Sequence, residues 1–294
     1  MTLIPNDLEN SRFVELLDRL GRMSVEDYYN PYRMFEWPDS LPADRPWMTP
    51  ELLSVHNTPY GDELPADQLL RLGRWESVNF YSLNVHGIRE LLIEVIGLVH
   101  TPGFEIPSEY LHHLIGEENE HMWFFAQFCR RYGGKVYRFP RARTAPLHRR
   151  EVEDFLVFAK ILLFEEIVDH CNKVLSRDET LHETIRQINA IHHRDESRHI
   201  AFNRELVGLL NGRLRDRLTE PEHTEVARYL RDYLSYCVGL LYSLEAYRDA
   251  GIADPVAFRR AVMAHPGRRA AEARLLRRPT SFLRRIGLVE EVPV

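Results

Sequence analysis

The chain is poor in the features that mark several large classes of protein. Its three cysteines in 294 residues (Cys129, Cys171 and Cys237) lie far apart, form no C-x-x-C pair and are odd in number. No disulfide framework is expected, and a reducing compartment is. No window approaches the roughly 18 apolar residues of a membrane span, and the opening MTLIPNDLEN has neither a basic stretch nor an apolar core of a signal peptide. A cytoplasmic protein without a membrane partner is therefore expected. Positive charge is not in surplus: 38 Lys and Arg stand against 44 Asp and Glu, a net charge of −6. That excludes a general nucleic-acid binder, which needs a basic footprint for phosphates. A glycine-rich G-x-G-x-x-G is missing, so no bound flavin or nicotinamide is expected. Strand-like alternation of useful length and internal repeats are lacking as well, which leaves an all-α class.

What is present divides by texture. Residues 1–65 hold eight of the 17 prolines, interleaved with Tyr28, Tyr29, Tyr32, Phe35, Trp37 and Trp47. Proline fixes φ and removes a donor, so this segment is expected to be mostly extended chain with short helical turns. Its aromatics make it an arm packed on the body. Residues 66–294 form the helical domain, with a bundle core at 67–210 and further helices at 220–294. Four long periodic runs are expected to be helices: from Asp67 to about residue 100, from Pro107-Ser108 to Gly133-Gly134, from Arg150 to Leu175, and from Thr180 to Leu210. Helices over 221–249 and 255–263 follow, then an arginine-rich end read as a solvated helical end.

The polar residues inside these runs need explaining, because a charge taken out of water is costly unless it is paired or binds a metal. In HHRDESRH, residues 192–199, His192, Glu196 and His199 stand at i, i+4 and i+7, one stripe along a helix. In GEENEHMWFF, Glu118 and His121 form an E-x-x-H pair, which Glu196 and His199 repeat. Two such pairs, with one Glu from each of two other helices, are how a four-helix bundle holds two metal ions. In the third run Glu165 shares a face with Phe158, Ile161, Leu162 and Val168. Glu166 shares one with Asp169, His170 and Lys173 and reads as the better solvated, so Glu165 is chosen. In the first run Glu90 and Glu94 are both candidates, and levels counted from the connecting turn favour Glu90. The expected ligands are Glu90, Glu118, His121, Glu165, His192, Glu196 and His199. Four carboxylates balance two divalent ions, and nitrogen and oxygen donors suit iron, with manganese as the alternative.

The strings EENEH (117–121) and DESRH (195–199) resemble the ferritin-like di-iron carboxylate oxygenases, in which an acid precedes each E-x-x-H. Glu117, Asp195 and Arg198 occupy the positions that brace the ligands in that group. His192 as a third histidine, and the 31 residues from Glu165 to Glu196, make the chain similar to the para-aminobenzoate N-oxygenase (AurF-like) family. The resemblance implies a ferritin-like bundle holding two iron ions, with O₂ as co-substrate and oxidation of a small-molecule amine towards hydroxylamine and nitro products. An external electron donor, a ferredoxin or reductase, and a homodimer are implied too. Oxidation or desaturation at carbon, or a radical-generating subunit like that of ribonucleotide reductase, are the alternatives.

Overall fold

The computed structural model describes residues 7–139 and 145–289, and among them every regular element is helical, with no β-strand. The expectations for residues 1–6, 140–144 and 290–294 lie outside the described residues. In chain order the α-helices are α1 (Ser11–Glu26), α2 (Pro31–Met34), α3 (Pro59–Glu63), α4 (Ala66–Ile96), α5 (Ser108–Phe128), α6 (Arg150–Arg177), α7 (Glu183–Arg215), α8 (Glu220–Leu240), α9 (Leu244–Asp249), α10 (Pro255–Ala264) and α11 (Pro266–Arg285). The centre is two antiparallel hairpins, α4 with α5 and α6 with α7. The first is closed by a turn in which His100 and Gly103 have positive φ, the second by Asp178–His182, where the His182 side chain caps α7. Short connections force antiparallel neighbours and so a four-helix bundle. α5 continues into a π turn, Cys129–Gly133, and ends at Gly134 in the left-handed region at φ 70°.

Three expectations about the flanking segments are corrected. The N-terminal arm is not mostly extended: residues 6–30 contain no proline, and Ser11–Glu26 is a 16-residue helix capped by Asn10. Its buried positions Phe13, Leu17 and Leu20 follow helical spacing and face α5 and α7, with Phe13 stacked on Phe202 at 6.2 Å. Extended chain begins only after α2, where the aromatics pack inward, Phe35 on Phe124 at 5.2 Å and Trp47 on Phe128 at 5.7 Å. The helix expected over 221–249 is broken between Leu240 and Leu244, where Ser243 caps α9 by accepting from the Ala246 N–H. The arginine-rich end is an ordered helix, α11, rather than a solvated one throughout. Arg268 is buried, its Nε 2.5 Å from the Tyr242 hydroxyl and its Nη1 3.2 Å from the Leu53 carbonyl. Arg278 reaches α6, with Nη1 2.9 Å from Asp169 and Nε 3.2 Å from Glu166.

Candidate metal centre

Glu118 and His121 on α5, and Glu196 and His199 on α7, each stand three apart on one face of a helix. α5 and α7 turn those faces to each other. One donor atom from each of the four residues lies within 4.8 Å of the others, and all four are buried. Glu118 sits between the two helices' imidazoles, Oε1 2.9 Å from His199 Nδ1 and Oε2 3.5 Å from His121 Nδ1. Glu196 continues the chain of contacts, 3.8 Å from His199 Nδ1 and 2.7 Å from His192 Nε2. His192 stacks edge-on against His121 at 4.5 Å between ring centroids. Glu165 comes from α6, 98% buried, its Oε2 accepting from the Asn203 amide at 2.9 Å.

The residues preceding each E-x-x-H brace the opposite pair. Glu117 accepts from His199 Nε2 at 2.7 Å, and Asp195 lies 3.1 Å from His121 Nε2. Arg198 ties the two acids together, donating to Glu117 at 2.8 Å and Asp195 at 2.7 Å. With Nε2 engaged outward, each imidazole turns Nδ1 to the interior. Both Glu118 oxygens, Glu165 Oε1, Glu196 Oε2, Nδ1 of His121 and His199 and Nε2 of His192 are buried without completing a hydrogen bond. Such groups are costly to leave unpaired. This set of converging nitrogen and oxygen lone pairs fits hard-to-intermediate divalent cations such as iron or manganese.

The electrostatics agree with that fit. Burial alone would lower the His121 imidazole, but its bonds with Asp195 and Glu118 push it up to about 10. His199 is likewise held well above its ordinary value against burial, by Glu117, Glu118 and Glu196. Burial would raise Glu118, yet His121 and His199 hold it well below the usual carboxylate range. Glu165 is pushed well above that range by burial and by the charge of Glu196. In the protein alone, then, the buried acids hold the two imidazoles towards their charged forms, and burial drives Glu165 towards its neutral form.

Glu90 is not part of this cluster. It is 47% exposed and paired with Arg89 at 2.8 Å, and Glu94 is paired with Lys160 at 2.8 Å. Both line a cavity of about 590 Å³ between α4, α6 and α8. The face of α4 turned to the bundle is Ser77, Tyr81, Asn84 and Ile88, all buried. Glu90, two residues beyond Ile88, is roughly 200° round the helix from it. Glu166 is not solvated either. It is fully buried between Arg204 Nε at 2.7 Å and Arg278 Nε at 3.2 Å. Its reach to α7 and α11, rather than to the cluster, keeps it apart from Glu165.

Four residues were not anticipated. Asn203 continues the α7 stripe four residues past His199, and Asn172, seven past Glu165 on α6, has its amide nitrogen 2.5 Å from His192 Nδ1. Their spacing was a usable signal. From the N-terminal arm, the Tyr29 hydroxyl donates to Asp195 at 3.2 Å and Asp27 accepts from Arg198 at 2.9 Å. Nothing in the local sequence announces those two.

A profile of the family described as P-aminobenzoate N-oxygenase AurF matches residues 10–287. An uncharacterised protein of Mycobacterium tuberculosis (strain CDC 1551 / Oshkosh) is 28% identical over 234 residues, covering 75% of this chain and 67% of the relative. An uncharacterised protein of Mycobacterium bovis is 27% identical over 210 residues, covering 67% of this chain and 61% of the relative. The chain thus spans about two thirds or less of the length of these relatives. Among solved structures, a single-residue variant of an R2-like ligand-binding oxidase with an aerobically reconstituted Mn/Fe cofactor superposes with a TM-score of 0.59 at 12% identity, covering 96% of both chains. An anaerobically reconstituted variant of such an oxidase gives 0.54 at 10% identity, again covering 96% of both chains. These likenesses show the fold. Among the described residues no helix is long and apolar enough to cross a membrane.

Proposed function

The chain belongs to the P-aminobenzoate N-oxygenase AurF family, and from that premise we propose that it is a two-metal oxygenase that uses O₂ to oxidise the amino group of a small molecule. The observation that carries this reading is the convergence of two E-x-x-H pairs from separate helices, their donor atoms within 4.8 Å of one another in a buried interior. Glu118, His121, Glu165, His192, Glu196 and His199 would hold the ions. Two bound iron ions, or iron with manganese, would supply the electrons through which O₂ is activated.

The chain's own residues would do the rest. Glu117 and Asp195 fix the imidazole orientations, and Arg198 holds those two acids in place. Phe124 and Phe125, both fully buried, close the site against water beside His192, with the Phe125 ring 4.8 Å from it. Conversion of an amine to a hydroxylamine takes one O₂, two electrons and two protons and releases one water. The electrons would come from an external ferredoxin or reductase. A homodimer is the expected assembly.

The test is anaerobic loading of the full chain with Fe(II), exposure to O₂ in the presence of an arylamine, and mass spectrometry of the product. The reading expects a hydroxylamine or nitro product with one or two ¹⁸O atoms when ¹⁸O₂ is supplied. Oxidation at carbon would replace amine oxidation as the reaction, and failure to take up metal would end the reading altogether.

A second reading has one observation of its own. Tyr110 on α5 is 1% exposed, its hydroxyl has no hydrogen-bond partner, and it feels the charges of His199, Glu117 and Glu165. A phenol so placed suits a radical-generating role. A tyrosyl signal by electron paramagnetic resonance after O₂ exposure, lost in Tyr110→Phe, would favour it.

A further inference from the structure

We propose that electrons reach the metal centre through Tyr29, whose hydroxyl is the outer end of a hydrogen-bonded route from the surface between α1 and α2, by way of Asp195, to His121. The donor is a one-electron carrier protein, the class of partner that the oxidation of an amine by O₂ requires. This inference rests on the two-metal reading above and adds to it the place where reduction enters.

The route runs through a single oxygen. Asp195 Oδ2 accepts from the Tyr29 hydroxyl at 3.2 Å and lies 3.1 Å from His121 Nε2, while Oδ1 accepts from Arg198 at 2.7 Å and from Arg194 at 3.1 Å. Electron tunnelling weakens far less along covalent and hydrogen bonds than across gaps. A ring joined to a ligating imidazole by two hydrogen bonds is therefore well coupled to whatever that imidazole holds. The ring is also fixed in place. The Arg194 guanidinium stands over it, 5.4 Å from the ring centroid. Two residues earlier Asp27 is tied to α7 twice, its carbonyl by Arg194 at 3.2 Å and its carboxylate by Arg198 at 2.9 Å.

The other two imidazoles lead elsewhere. His199 is braced by Glu117 and, through Arg198, leads to Asp27, which carries no ring; His192 meets the buried Asn172. Tyr29 itself is half-buried, and around it the route opens on apolar surface. Met23, Val25, Tyr28 and Tyr32, all within residues 23–32, are 39 to 71% exposed. Exposed apolar residues gathered in one place mark contact with another protein. Each passage oxidises the carrier by one electron and delivers that electron to the centre, with no bond made or broken along the route. Two passages supply the two electrons that conversion of an amine to a hydroxylamine takes.

Cys129, Cys171 and Cys237 are buried, so a thiol introduced on the surface of the full chain can be labelled selectively. Tyr28→Cys carrying a ruthenium trisbipyridine label is loaded with Fe(II), oxidised with O₂ and flashed with a reductive quencher present. The optical change of the iron centre then gives the rate of electron injection. Adding Tyr29→Phe keeps the ring and removes the hydroxyl, and injection should slow by about tenfold or more, the scale on which outer hydrogen bonds act at metal sites. Mn(II) affinity, read with a chelating dye, should be retained, which a merely structural role for the hydroxyl would not allow. The same label on Ile93→Cys, at a position 64% exposed on α4, should inject more slowly and be indifferent to Tyr29→Phe. If circular dichroism shows that Tyr29→Phe does not fold, the comparison of the two label positions decides the matter. Three results would overturn the inference: equal injection with and without the hydroxyl, a Mn(II) affinity that falls in step with the injection rate, or injection from position 93 as fast as from position 28. An absence of iron uptake is a separate result and would overturn the two-metal reading with it.

Discussion

Asp195 Oδ2 on α7 lies 3.1 Å from Nε2 of His121 on α5, and both side chains are fully buried. The contact is matched in the other direction by Glu117 of α5, which accepts from His199 of α7 at 2.7 Å. Each helix thereby orients the other's imidazole, and the braces are as specific to the site as the ligands.

Asp195→Asn should weaken the binding of Mn(II) by about 10- to 100-fold while leaving the helix content unchanged, because it removes the anionic acceptor that fixes His121. Competition against a chelating dye, with circular dichroism as the control for folding, measures both. An affinity equal to that of the unmodified chain would show that the brace does not act on the metal.

Metal binding should release protons, and its affinity should rise with pH. His121 is pushed up to about 10, His199 lies well above its ordinary value, and Glu165 well above the carboxylate range, so in the protein alone each keeps its proton to higher pH than the free side chain would. A cation must displace those protons, since its donors have to be deprotonated. Proton release into a weakly buffered indicator during Mn(II) addition checks the sign. Uptake of protons, or none moved, would contradict it.

Bound metal should also raise the melting temperature. At a free metal concentration 100 times the dissociation constant, linkage predicts about 2.7 kcal/mol of added stability. Melts with Mn(II) and with chelator should differ accordingly.

Glu76 should make the protein less stable as pH rises. Burial pushes its carboxyl up to about 7 from an ordinary 4.5, against the bonds from Ser54 and the charge of Arg268. A folded value above the unfolded one means that the folded chain holds a proton the unfolded chain has lost between those two pH values. The group's contribution is therefore fully present below about 4.5, falls as pH rises to about 7 and is flat above. Glu76→Gln should remove that slope and, at pH 8, offset a cost on the order of 3 kcal/mol. Denaturant unfolding of both chains across pH 4.5 to 8, a range bracketing the two values, reads it out; parallel stability curves would contradict the assignment.

Gly267→Ala should destabilise the docking of α11. A Cβ there would stand 2.0 Å from the Asn57 carbonyl oxygen, a backbone atom at a residue with positive φ that has little freedom to retreat. A loss of about 1 to 3 kcal/mol is expected, with Mn(II) affinity retained because α11 gives no side chain to the cluster. A melt unchanged from the parent would show that the turn at Asn57 relaxes.

The sequence by itself determined the parts of the site whose geometry is local. Residues three or four apart on a helix share a face whatever the helix packs against, so Glu118 with His121, and His192 with Glu196 and His199, were legible as clusters from spacing alone. The same spacing, followed one step further, would have reached Asn203 and Asn172. Tertiary structure decided everything that depends on the rotation of one helix relative to its neighbours. Glu90 and Asn84 both lie on α4, and only packing against α5 and α6 turns Asn84 inward and Glu90 towards Arg89. Glu166 reads as solvent-facing until α11 brings Arg278 to it, and Asp195 gains Tyr29 across 166 positions of chain. Periodicity fixes a residue's angle about its own axis, but which angle is the inside is set by partners distant in sequence.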